Sequence, residues 1–124
     1  MLEFVHGRLA LSTLLFTIAM GVWAGWIFVR RRGVDSNYWG ALVIGETLFV
    51  GQGIVGLLLI LNGARPADML HLLYGVLVAC GWPGVYIYTH AHSTRREAAL
   101  YALMSFFMFG LALRAVITGG GLTR

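Results

Sequence analysis

Residues Leu2–Val29 read LEFVHGRLALSTLLFTIAMGVWAGWIFV and stop at Arg30-Arg31-Arg32. A run this long and this apolar exceeds the roughly 20 residues that cross a bilayer as a helix, and the arginines mark where it leaves the hydrocarbon. Three further runs repeat the pattern: Trp39 to Leu61, Ala67 to about Tyr88, and Ala98 to Ile117, the last ended by Gly119-Gly120-Gly121. Pro83 falls inside the third run and predicts a kink that neighbouring helices accommodate. Three short connections join the four spans, and short connections make consecutive helices antiparallel neighbours. The fold class expected is therefore all-α. It is a polytopic membrane protein, a four-helix up-down-up-down transmembrane bundle in which residues 1–124 form one domain.

Composition gives the same answer. The chain is 59% hydrophobic and only 11% charged, outside the range of soluble globular domains. Nine arginines, with no lysine, face five acids for a net charge of +4. In such a chain the surplus sets loop orientation and does not imply nucleic acid. The single cysteine, Cys80, lies within the third run, so there is neither a disulfide framework nor a cysteine metal motif. A small core residue is expected there. Glu3 stands where a signal peptide carries basic residues, and no small-residue cleavage site precedes a polar mature chain, so the first helix is expected to be retained.

The arginines also orient the bundle. Arg30, Arg31 and Arg32 lie in the first connection and Arg95 and Arg96 in the third, whereas the second holds only Arg65. Cytoplasmic loops carry the positive excess, which puts the first and third connections in the cytoplasm, both termini on the outer side and the chain in the cell (inner) membrane. Trp23, Trp26, Tyr38, Trp39, Trp82, Tyr86, Tyr88 and Tyr101 gather near the cytoplasmic ends, at the headgroup level that amphipathic rings favour.

Several motifs imitate chemistry. Gly51-Gln52-Gly53-Ile54-Val55-Gly56 spells a dinucleotide fingerprint, but that motif needs a preceding strand, and inside an apolar helix it reads as a small-residue packing face. Gly21-Val22-Trp23-Ala24-Gly25 has the spacing that lets helices approach closely. His90 and His92 lie beside Arg95 and Arg96 in a solvated loop, and a metal would need more ligands than these two. Glu46 and Gln52, polar residues of the second span, suit a proton path, a quinone contact or an interhelical hydrogen bond.

The remaining polar residues single out two histidines. His6 lies 24 residues before Arg30, and His71 lies 24 residues before Arg95. At the rise of a helix each interval is roughly 36 Å, so both imidazoles are expected at similar depth near the outer face. In an up-down bundle the first and third helices are parallel and diagonal, and inward-facing side chains on them meet across the core. That is the geometry of a bis-histidine haem, and ionisable groups in such a place mark functional sites by default.

One turn further in on the same faces stand Ala10 and Gly75, small enough to leave room for a porphyrin plane. Glu3, one turn before His6, is a candidate to orient the imidazole, hold a water near a propionate or act on a bound substrate. Its plainer role is that of an acid at a helix N-terminus. Arg114, toward the outward end of the fourth span, is a candidate partner for a haem propionate or for Glu3, against snorkelling to the outer headgroups.

Glu3-Phe4-Val5-His6 resembles the E-x-x-H opening of the first core helix in haem A synthase, where a glutamate sits three residues before a haem-ligating histidine. The segment from Gln52 through Gly56 to Leu61 is similar to the Q-x-x-x-G run of that family's next helix. Leu70-His71-Leu72-Leu73 resembles the H-L-L segment of the helix after it, which carries the second ligand. The resemblance implies one four-helix half of the haem A synthase architecture, with His6 and His71 as axial ligands to haem and Glu3 near the reacting group. The chain departs from the family in three ways, the first being that the second four-helix half is missing unless two copies associate. Gly7 stands where an arginine commonly follows the first histidine, and the second connection lacks the outward cysteine pair of many bacterial members.

The expectation is thus a protein that binds haem b, or a related haem, near its outer face and takes part in electron transfer or haem handling. If it is an enzyme, the resemblance implies a haem A synthase-like oxidoreductase. Expected partners are the lipid bilayer, a quinone or a membrane redox complex, and a second copy of the chain that restores a two-half arrangement. The alternative is a cofactor-free accessory subunit that packs its glycine faces against a respiratory or photosynthetic complex. A small transporter or channel has little support, since no inverted repeat or paired broken helix is present.

Overall fold

A computed structural model describes residues 2–66 and 68–119. Among the described residues there are four helices and no strand: α1 (Leu2–Val29), α2 (Ser36–Leu61), α3 (Leu70–Tyr88) and α4 (Arg95–Thr118). Each is long and apolar enough to cross a membrane.

Caps explain where the helices depart from the apolar runs. α2 starts at Ser36, three residues before Trp39, because Asp35 Oδ1 accepts the Tyr38 N–H at 2.9 Å and satisfies one of the free donors of the first turn. α4 starts at Arg95, not Ala98. Glu97 Oε1 accepts the Thr94 N–H at 2.8 Å and also the Thr94 hydroxyl, which is capping-box chemistry. The expected start of the third span, Ala67, lies outside the described residues, as do Gly120 and Gly121 beyond the fourth. α3 begins at Leu70, whose N–H is held by Asp68 Oδ1 at 2.9 Å, and continues through Pro83 to Tyr88.

The connections fix which ends meet. The Val34 N–H donates to the Ser93 carbonyl at 2.8 Å, and Arg95 Nε donates to the Phe28 carbonyl at 2.8 Å with its guanidinium 3.9 Å above the Phe28 ring. The first and third connections are thereby locked together at one end. A Cβ at Gly33 would collide with the Ser93 carbonyl oxygen there. At the other end the Asp68 N–H donates to the Thr118 carbonyl at 2.7 Å. α4 packs along both α1 and α3, and α1 along α2, while α2 and α3 touch sparsely. α1 and α3 share no Cα pair within 8 Å, so they face each other diagonally.

The core is concentrated toward the end that holds the first and third connections. Thr17, Ala24, Tyr38, Ala98, Tyr101, Ser105 and Met108 are fully buried. Ala98, Ala102, Ser105 and Ala112 give α4 a stripe of small residues, and Gly21 receives the Phe106 ring, whose Cε1 would lie 2.9 Å from a Cβ. Where lipid replaces water, such close approach and interhelical hydrogen bonds hold helices together. The Tyr38 hydroxyl donates to the Met20 carbonyl at 3.1 Å, and Trp82 Nε1 to Ser105 Oγ at 3.0 Å. Cys80, expected in the core, is exposed on α3. Its neighbour Gly81, about 100° around the helix, takes the buried position against Met108.

The opposite end is open. Among the described residues, none from 2 to 12 and none from 50 to 77 is fully buried. Burial toward that end continues on α4, at Ala112 and Thr118.

Candidate functional site

His6 on α1 and His71 on α3 meet within that open end. Their ring centroids lie 6.0 Å apart with the planes inclined by 70°, although the two helices make no close backbone approach. Equal spacing from the arginines brings the residues to one height, and the diagonal placement of α1 and α3 lets only side chains bridge the gap.

Each ring rests on a glycine of another helix. A Cβ at Gly56 on α2 would lie 3.2 Å from His6 Cε1. At Gly119, the C-cap of α4, it would lie 2.9 Å from Cε1 and 3.0 Å from Nδ1 of His71. Neither position accepts a side chain unless the imidazole moves.

The two imidazoles are held differently. His71 Nδ1 stands 2.6 Å from the Ala115 carbonyl oxygen. A carbonyl only accepts, so Nδ1 carries the hydrogen of this bond. Metal-binding histidines are commonly fixed in this way. At His6 the grip is on the main chain: Gln52 Nε2 donates to the His6 carbonyl at 2.9 Å. Among the described residues, His6 Nδ1 and Gln52 Oε1 are both buried without a partner.

This donor set can be tested against a metal. Among the described residues, no three His, Cys, Asp or Glu side chains are placed to share an ion. A bare cation would be short of ligands here, whereas an iron that arrives with four porphyrin nitrogens needs only two axial ligands. Two imidazoles on one metal are separated by two bonds of about 2.0–2.1 Å and two ring radii of about 1.2 Å, or roughly 6.4 Å between centroids. The observed 6.0 Å falls close to that span, and neither helix end is pinned by buried side chains at this height. In donor chemistry and spacing the two histidines are compatible with a haem, and their rings meet edge-on at 70°.

The other predicted site residues are less closely engaged. Ala10 is half-buried one turn inside His6. Gly75 is exposed, and open space lies where its Cβ would point. Glu3 and Arg114 are exposed at the same end of the bundle. From α4 it is the residue after Arg114, Ala115, that reaches His71, and it does so through its main chain.

Of the string read as a packing face, Gln52 and Gly56 serve His6, while Gly51 and Gly53 face open space. Their separation of four residues, one face of a helix, was the available signal. Gly25 likewise faces open space, whereas Gly21 packs. Glu46 Oε1 and the Tyr101 hydroxyl are buried without partners, and Glu46 lies about 9 Å along α2 from Gln52. His90 and His92 belong to the third connection, at the opposite end, where His92 Nδ1 engages the Thr89 carbonyl.

Fold and site together define a four-helix chain with a diagonal histidine pair at its loosely packed end. No known protein-family profile, curated protein or solved structure matches the chain.

Proposed function

We propose that this chain is an up-down-up-down, four-span membrane protein that holds a b-type haem between His6 and His71 and takes part in electron transfer or haem handling, in the manner of one half of haem A synthase. The meeting of two imidazoles from diagonal helices, each on its own glycine, carries this reading. When bound, the haem supplies one-electron chemistry, tuned by its axial ligands and its burial. His6 and His71 hold it, the Ala115 carbonyl fixes the His71 ring, and the open side at Gly75 leaves space beside the pair. Arg114 and Glu3 are charged groups available at that end to propionates or to a substrate.

With Arg30, Arg31, Arg32, Arg95 and Arg96 at the far end, the positive-inside rule puts that end in the cytoplasm and the histidines near the outer face of the cell membrane. Electrons are exchanged with a quinone, a membrane redox complex or a second copy of the chain across the exposed apolar faces.

The experiment is to purify the protein in detergent and measure haem per chain by pyridine haemochrome. One haem in the wild type, lost in His6→Ala and in His71→Ala but kept in His92→Ala, is expected. A colourless wild type, or copper in place of haem, overturns the proposal. Gly25 and Gly53, which turn their bare faces outward, favour a second reading, a cofactor-free accessory subunit. In it the histidine contact is plain edge-to-face ring packing, and the colourless chain copurifies with a larger complex.

A further inference from the structure

We infer that Gln52 is the positioning residue of His6: its Oε1 accepts the Nδ1–H of His6 when Nε2 of that ring binds iron, while its Nε2 keeps hold of the His6 carbonyl. This rests on the haem reading above. Among the described residues His6 Nδ1 and Gln52 Oε1 are both buried and both unpartnered, and such atoms are rare because each forfeits its hydrogen bonds to water without replacement. They belong to residues already in contact, since Gln52 Nε2 lies 2.9 Å from the His6 carbonyl oxygen. The ring is also directed to this face of α2. Gly56, one turn beyond Gln52, would put a Cβ 3.2 Å from His6 Cε1 and 3.9 Å from Nδ1.

The two histidines that would hold the haem then differ in a way that matters. His71 gives its Nδ1–H to a main-chain carbonyl, which no substitution at Ala115 removes. His6 gives its own to a side chain. An acceptor on Nδ1–H makes an imidazole more basic and favours the oxidised iron, so Gln52 is the position through which this chain sets the potential of its haem.

The test compares Gln52→Leu with Gln52→Glu in the haem-loaded protein, reading midpoint potential and haem affinity by redox and haem titration. Leucine removes both functions of the amide, whereas glutamate restores an acceptor without the donor. Gln52→Leu is expected to raise the potential and weaken haem binding about 10–100-fold. Gln52→Glu is expected to return the potential to the wild-type value or below it. If glutamate behaves as leucine does, Gln52 is only a clamp on the His6 carbonyl, and the inference falls while the haem reading stands. If the wild type holds no haem, both fall. Gln52→Met replaces the leucine variant should that one fail to fold.

Discussion

Replacing Gly56 by alanine sets a methyl carbon 3.2 Å from His6 Cε1. Carbon atoms in good contact stand about 3.5–4.0 Å apart, so the imidazole must retreat by a few tenths of an ångström. Gln52 holds the main chain of His6 at 2.9 Å and resists a shift of α1 as a whole. The ring therefore turns away from His71 or toward it. A ligand constellation must be held within about 0.5 Å of its working geometry, a margin that this shift largely consumes, and damage just outside the ligands typically costs 10–100-fold in affinity. This displacement belongs at the mild end, about tenfold, or about 1.4 kcal/mol.

The helix itself gains, because alanine is better than glycine in a helix interior by about 1 kcal/mol. The effects on fold and site thus have opposite signs. Gly53→Ala is the control: nothing lies within 4 Å of its Cβ position, so it gains the same helix propensity and leaves haem binding unchanged. Gly119→Ala, at 2.9 and 3.0 Å from the His71 ring and 3.1 Å from the Ala115 carbonyl oxygen, wedges a methyl beside their hydrogen bond, pushes the ring off that carbonyl and loses more affinity than Gly56→Ala. Haem titration of the detergent-solubilised apoprotein, followed in the visible spectrum and paired with thermal unfolding, reads both quantities. Equal affinity in wild type and Gly56→Ala, or equal losses in Gly56→Ala and Gly53→Ala, refutes the reasoning.

Three further outcomes follow from the packing. His90 is exposed and sits at φ 52°, left-handed backbone that costs a non-glycine residue about 1–2 kcal/mol. His90→Gly should raise the unfolding temperature without touching haem content, and no change would mean that the third connection turns differently. Trp82→Phe and Ser105→Ala each orphan one end of a buried 3.0 Å hydrogen bond and should destabilise by about 1–3 kcal/mol; in a thermal-unfolding cycle the double variant should cost clearly less than the sum. Thr94→Ala should lower stability by about 1 kcal/mol by opening the N-terminus of α4, with the visible spectrum unaffected.

The four helices were legible because apolar runs longer than the bilayer is thick leave few alternatives. Their starts were not, since Asp35 and the Thr94-Glu97 pair look like loop residues until their carboxylates are seen closing the first turns of α2 and α4. The common height of His6 and His71 could be counted from the arginines. What lies beneath each ring could not. Whether Gly51, Gly53 or Gly56 carries an imidazole depends on the rotation of α2 about its axis, which is set by Gly45 between Phe16 and Trp82 far down the bundle. The same holds on α4. Arg114 drew notice by its charge, yet Ala115 meets His71 through a backbone carbonyl, a group every residue has and no side-chain pattern reveals. Cys80 and Gly81 likewise exchange the buried and exposed positions that residue type alone would assign.

The central claim is that His6 and His71 bind the same iron, and the most direct measurement is the electron paramagnetic resonance spectrum of the oxidised, haem-loaded protein with each histidine in turn replaced by alanine. The wild type should be six-coordinate and low-spin, and each single variant should turn five-coordinate and high-spin or release its haem. A low-spin signal that survives both substitutions places the iron on other ligands and contradicts the account.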